Sequence, residues 1–360
     1  MGYSLCTILV PMYISEVAPL NLRGGLGTVN QLAVTIGLLL SQILGLEEIL
    51  GTEKSWPLLL GLTICPSVLQ LALLPFCPES PRFLLITRQR EEESRAALRR
   101  LRNSVNVEDD ISMLQLITSW SLRLPLIIAI VMQLSQQLSG INAVFYYSMT
   151  IFKASGLTEE SARYANLGVG AAMVIMTIIS IPLMDRAGRR TLHLYGLGGM
   201  FIFSIFITIS LLVKIMVQGM KYLSVISVLG YVVFFAVGPG SIPWLISAEL
   251  FSQGPRPAAM SIATLVNWFS NGVVGLVFLH MHTAFDDYTF LPFTFFLGLF
   301  WIFTYKKVPE TKNKTFDEIA AIFRPEGANN INSLHGAGKS HTARENSSLI
   351  VPLADYSNRS

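Results

Sequence analysis

The chain has 360 residues and a formal net charge of +3, is 52% hydrophobic and only 14% charged, and has a mean hydropathy of +0.53. That composition excludes an ordinary soluble domain, because the apolar residues arrive in continuous runs of about 20, the helical length that crosses a bilayer core of roughly 30 Å. The runs do not alternate with period 2, which excludes a β-barrel, and three scattered cysteines (Cys6, Cys65, Cys77) exclude a disulfide framework and read as small packing residues.

Nine apolar spans are predicted in chain order, at about 2–15, 26–46, 57–76, 124–152, 165–184, 192–213, 223–247, 258–279 and 288–305. The first lacks the basic start and small-residue cleavage site of a signal peptide and reads as a retained helix. With Met1 outside, only Lys54, Lys153, Arg163, Lys214 and Lys221 of the 26 basic residues fall on the outer side. The positive-inside rule is met, and an odd number of spans places the carboxy-terminus in the cytoplasm.

A cytoplasmic insertion at about 80–122 separates three spans from six. Its RQREEESRAALRRLRN stretch sets Glu91 and Glu92 ahead of Arg95 and spaces Ala97, Leu98 and Leu101 as an amphipathic surface helix. The tail after about 325 is rich in Gly, Asn and Ser without apolar period and is expected to be disordered. Sequons at Asn313, Asn346 and Asn358 lie on the cytoplasmic side, so none is expected to carry glycan.

Polar groups at bilayer depth carry the functional argument. In the fourth span, Gln133, Gln136, Gln137 and Gly140 stand at i, i+3, i+4 and i+7, which puts three amides on one helical stripe, with Asn142 just beyond. Such a stripe cannot face acyl chains without several kcal/mol of polar cost per group. It serves either as interhelical glue or as the lining of a water-filled cavity. Amides donate and accept, which suits a neutral, polyhydroxylated solute; an ion path would want charged side chains in mid-span, where almost none occur. Gln31 in the second span, with Asn267 and Asn271 in the eighth, adds further amides.

In the seventh span, Gly238, Pro239, Gly240 and Pro243 remove donors and predict a broken helix of the kind that lines a cavity or bends during gating. Trp244 comes next, either as a ring that stacks on a solute or as an interfacial belt residue, and Trp268 carries the same ambiguity. At the cytoplasmic edges an acid recurs beside a base: Glu16 before Arg23, Glu79 before Arg82, Asp185 and Arg186 before Arg189 and Arg190, Glu249 before Arg256, and Glu310 before Lys312. These are either simple flanking charges or ion pairs that hold that side shut in one conformation.

Seven motifs in order give the chain a recognisable face: VPMYISEVAPLNLRG (10–24), PESPR (78–82), QLSQQLSGINAVFYYS (133–148), DRAGRR (185–190), VGPGSIPW (237–244), AELFSQGPRPAA (248–259) and VPETKNKTF (308–316). In these the sequence resembles the facilitative hexose transporters, the sugar porter branch of the major facilitator superfamily, and most closely their glucose-transporting class. The resemblance implies an all-α membrane protein, a major facilitator helical bundle holding about nine transmembrane helices, the fourth to twelfth of the usual twelve. It implies a remainder of the amino-terminal transmembrane half at 1–79, a helical linker at 80–122, a six-helix half at 123–306 and a tail at 307–360. A central hexose site is implied at Gln31, Gln136, Gln137, Asn142, Trp244 and Asn271. Glucose selectivity is implied at Gln133, Leu134 and Ser135. A cytoplasmic gate is implied at Glu16, Arg23, Glu79, Arg82, Arg186, Arg189, Arg190, Glu249 and Arg256. Against that pattern the chain is expected to lack the first three helices, and it has Met173 where an asparagine is usual and Ala236 where a glutamate is usual.

The expected function is facilitative uniport of a hexose, glucose foremost, by alternating access, without cofactor, metal or covalent chemistry. The expected partners are the hexose and the lipid bilayer of the plasma membrane, and no nucleic acid. The alternative expectation is a truncated, non-transporting form that associates as a homo- or hetero-oligomer with full-length carriers.

Overall fold

The computed structural model describes residues 9–14, 18, 23–77, 120–213, 220–252 and 255–323, and among them every regular element is helical. Residues 9–14 are helical. The principal helices are α1 (Arg23–Leu44), α2 (Trp56–Gly61), α3 (Ile64–Leu73), α4 (Trp120–Gln137), α5 (Ile141–Ala154), α6 (Glu159–Ala187), α7 (Arg189–Leu212), α8 (Met220–Val237), α9 (Ile242–Glu249), α10 (Arg256–Phe285), α11 (Leu291–Lys307) and α12 (Phe316–Ile322). Seven segments among the described residues are long and apolar enough to cross a membrane. They make this a multi-pass membrane protein.

Local chemistry sets several boundaries. Thr158 caps α6 by accepting from Ser161 N, with Glu159 and Glu160 in the first turn, where the helix dipole favours acids. Gly188 ends α6 and opens α7 with a φ of +90°. Thr315 and Glu318 form a capping box that starts α12.

Three predicted spans are subdivided. The third is α2 and α3, followed by a 3-10 turn at Leu74–Phe76. None of these residues is buried, so Cys65 and Cys77 are exposed rather than packed as expected, and Cys6 lies outside the described residues. The fourth begins at Trp120, inside the stretch assigned to the linker, because Leu122 already packs on the bundle's apolar cluster. It then breaks at 138–140 into α4 and α5. The seventh breaks at 238–241 into α8 and α9, as its prolines and glycines predict. The linker's predicted amphipathic helix and the tail after 325 lie outside the described residues.

Helix α7 packs most extensively on α8, and then on α11; α6 packs on α1 and α8; α4 packs on α10 and α9. Close approach of α7 to the second break depends on two facing glycines. A Cβ on Gly196 would lie 2.6 Å from Gly238 Cα, so neither position tolerates a side chain without displacement.

The buried apolar residues form two clusters with a polar layer between them. Along α4 and α5, Leu126, Ile128, Ala129 and Met132 belong to one cluster and Ile141, Ala143 and Val144 to the other. The same change of cluster occurs along α8 and α9, from Val228–Ala236 to Ile242–Phe251, and along α10, from Ala259 and Ala263 to Val274 and Phe278. In each case the crossing point holds polar side chains or a broken backbone: Gln133–Gly140, Gly238–Ser241, and Asn267 with Asn271.

Candidate functional site

The polar layer is one hydrogen-bonded network. Asn267 is its hub: its Nδ2 donates to Gln133 Oε1 and Gln136 Oε1, both at 2.8 Å, and its Oδ1 accepts from Gln137 Nε2 at 3.0 Å. Gln137 Oε1 in turn accepts from Asn271 Nδ2 at 3.1 Å and from Asn142 Nδ2. Gln133, Gln136, Gln137 and Asn267 are all buried, with exposures of 6% or less. The stripe spacing on α4 is what aims the three glutamines at α10.

The two readings of the stripe apply to different members. The four buried amides satisfy one another across helices. Asn142 and Asn271, half-buried at the edge of the layer, each keep a carbonyl oxygen and an N–H unengaged among the described residues.

Both helix breaks border this layer. Gly140 has a φ of +85°, a conformation that side chains resist, and a Cβ there would come within 2.7 Å of the Phe293 ring. Gln136 Nε2 donates to the carbonyls of Pro239 (2.9 Å) and Gly240 (2.7 Å) at the second break. The Tyr231 hydroxyl, fully buried, donates to the carbonyl of Ser139 at the first.

From the other side, α1 presents Gln31, whose Nε2 lies 3.6 Å from where a Gly240 Cβ would be and has no hydrogen-bond partner among the described residues. Trp244, half-buried on α9, lines a pocket with Pro11, Ile14, Gly27, Leu245, Ala248 and Glu249. The ring thus faces the chain's amino-terminal residues and α1 rather than open lipid.

The run implied for selectivity does not point one way, since successive helical residues turn by about 100°. Gln133 joins the network and its Nε2 approaches Ser247 Oγ at 3.5 Å; Leu134 packs in the apolar cluster. Ser135 donates to Met132 O at 2.7 Å and sits 3.4 Å from His193 Nε2. His193 is fully buried and its Nδ1 has no partner among the described residues. Met173 and Ala236, the two departures, are both buried in an apolar cluster, outside the amide network.

The basic end of the bundle carries the charges expected to form a gate, paired differently from their sequence order. Arg189 Nη2 meets Glu249 Oε1 at 3.3 Å, with both side chains 3% exposed, and Arg189 Nη1 lies 3.7 Å from Asp185 Oδ1. Thr311 Oγ1 donates to Glu249 Oε2 at 2.5 Å. Glu310 accepts the backbone N–H groups of Arg189 (2.9 Å) and Arg190 (3.1 Å), a carboxylate on the amides of a helix start that have no partner within the helix. Arg190 stacks over the Tyr305 ring at 5.5 Å and donates to Tyr305 O at 2.6 Å; Lys312 Nζ donates to the carbonyl of Arg186 at 2.7 Å. Arg256, fully buried, donates to Phe251 O. So Glu249, set by sequence beside Arg256, pairs with Arg189 instead, while the Arg256 guanidinium turns to the carbonyl of Phe251. Glu16, Glu79 and Arg82 lie outside the described residues, as does the side chain of Arg23.

Three contributors escaped the sequence reading of the site. Asn267 was visible as an amide at depth but not as the hub; Tyr231 and His193 were signalled only as polar-tipped rings within apolar spans.

An all-helical membrane bundle with discontinuous helices around a buried amide layer is a transporter architecture of the major facilitator kind. The chain superposes on the major facilitator proton:xylose symporter XylE bound to 6-bromo-6-deoxy-D-glucose with a TM-score of 0.74 at 29% identity, over 89% of this chain and 71% of that one. With the inward-open conformation of XylE from E. coli the TM-score is 0.62 at 26% identity, over 87% and 69%. The model of the sugar (and other) transporter family matches residues 1–323, and the chain belongs to that family. It is 52% identical over 332 residues to the facilitated glucose transporter member 4 of solute carrier family 2 from Mus musculus, covering 88% of this chain and 65% of the relative. It is likewise 52% identical over 335 residues to member 3 from Ovis aries, covering 89% and 67%. The chain thus spans about two thirds of the length of these relatives.

Proposed function

We propose that the protein moves a hexose, glucose foremost, down its gradient by alternating access. The observation that carries this reading is the amide layer between two apolar clusters, with Asn142 and Asn271 offering unengaged donors and acceptors at its edge. Gln31 beside Gly240 at the second break, and Trp244 in the pocket lined by α1 and the amino-terminal residues, are assigned as further ligand groups. Hydroxyls of a neutral sugar each donate and accept, and amides match both roles. Gln137, bonded to both asparagines, holds them in register.

Among the described residues no Asp, Glu, Lys or Arg enters the layer, which favours a neutral solute and uniport over ion coupling. The basic end faces the cytoplasm by the positive-inside rule, together with the carboxy-terminus, in the plasma membrane. There the Arg189, Glu249 and Thr311 cluster acts in closing that side, as the amino-terminal spans move against the helices from Trp120 onward.

The test is uptake by the reconstituted chain of D-glucose against L-glucose. Faster D-glucose entry is expected, and equal rates overturn the reading.

A further inference from the structure

The two helix breaks each expose backbone oxygens that no water in a bilayer interior would satisfy. At the second break the cause is visible in sequence: the N–H that would reach Pro239 O in a continuous helix belongs to position 243, which is proline and has none. The oxygen is served instead by Gln136, which stands on α4 immediately before the first break. The same amide serves Gly240 O, while its own oxygen accepts from Asn267. At the first break the Ser139 carbonyl is served by Tyr231, which stands on α8 within two turns of the second break.

We propose that Gln136 and Tyr231 are positioning residues that latch the two helix breaks to each other, so that the breaks change conformation as one unit. The relation is reciprocal: each broken span supplies the side chain that satisfies the other's freed backbone. Any movement that withdraws α4 from α9 leaves Pro239 O and Gly240 O without a donor, and the same separation of α4 from α8 removes the donor from Ser139 O. Neither break can shift alone without stranding a buried acceptor. Both donors on Gln136 Nε2 are committed to backbone, so the side chain acts on a solute through the placement of its neighbours Gln137 and Asn267. The latch stands on geometry alone, and its consequence for turnover rests on the hexose reading.

Hydrogen exchange of the full chain in lipid nanodiscs tests it, read on peptides spanning 134–142 and 234–245 in the unmodified protein, Tyr231→Phe and Gln136→Met. Each variant removes a donor and keeps the side chain's bulk. Each is expected to speed exchange at both breaks by about tenfold, equivalent to about 1.4 kcal/mol. A rise confined to the break that lost its own donor, or no rise at either, overturns the latch. A merely structural role for Tyr231 would loosen the first break alone. In a parallel D-glucose uptake measurement, Tyr231→Phe is expected to change the maximal rate several-fold and the half-saturating concentration less than twofold; the reverse split also overturns the latch. If the unmodified chain takes up no D-glucose, the exchange data still decide the latch, and only the hexose reading falls.

Discussion

Arg189 and Glu249 lie 60 residues apart in sequence and form a buried ion pair, Nη2 to Oε1 at 3.3 Å with each side chain 3% exposed. Thr311 and Asp185 complete the surroundings of the pair, one on each partner. The pair joins the start of α7 to the end of α9, the shorter limb of a broken span, and so fixes the basic end of that limb.

Removing one member strands the other in a protein interior. Glu249→Ala is expected to cost about 3 kcal/mol, the low end for a broken buried pair, because the buried guanidinium loses its nearer carboxylate and keeps only Asp185 at 3.7 Å. Thermal unfolding in detergent or nanodiscs checks it, and a loss below about 1 kcal/mol would mean that Asp185 or water takes over the charge of Arg189.

The exposed pair between Arg163 and Glu47 gives the contrast. Its atoms are closer, at 3.0 Å, but the Glu47 side chain is 65% exposed. Glu47→Gln is therefore expected to change stability by only about 0.2–1 kcal/mol, and by less as salt is raised. Unfolding at two ionic strengths measures both.

Gly140 is constrained twice, by its positive φ and by the Phe293 ring. Gly140→Ala is expected to destabilise the protein by about 1–3 kcal/mol. Pairing it with Phe293→Leu should recover part of the loss, and a double mutant no more stable than Gly140→Ala would show that backbone conformation alone sets the cost.

Gln137 connects the buried amides to the half-buried asparagines. Gln137→Leu takes the donor from Asn267 Oδ1 and the acceptor from the Asn142 and Asn271 amides, at about 1–3 kcal/mol for each stranded buried group. D-glucose binding is expected to fall by at least tenfold, with membrane insertion retained. Isothermal titration of the purified chain, alongside its yield in the membrane fraction, separates the two effects; undiminished binding would remove the amide layer as the site.

Much of the architecture was legible in the sequence, because a bilayer tolerates few backbone solutions and continuous apolar runs therefore mark helices directly. The run from Leu223 to Ser247 also announced its break, since proline lacks the donor that a helix needs. The break at 138–140 was less visible: a single glycine in QLSGIN does not distinguish a flexible helix from one interrupted at a φ of +85°. The spacing of Gln133, Gln136 and Gln137 gave a shared face, since helical geometry is local.

What lay across from that face was decided only by tertiary packing. The sequence holds several amides at similar depth, and nothing local makes Asn267 the hub rather than Asn271. The approach of α10 to α4 makes that choice. The pairing of charges has the same origin. Glu249 has Arg256 seven residues on, yet its partner comes from α7, because burial excludes water and leaves only the guanidinium that the bundle brings within reach. By itself, the sequence determined a multi-span helical membrane protein with amides at bilayer depth and cations at one end. The fold decided which of those groups satisfy one another and which keep unengaged donors and acceptors among the described residues, since long-range contacts depend on how helices cross rather than on the order of residues along the chain.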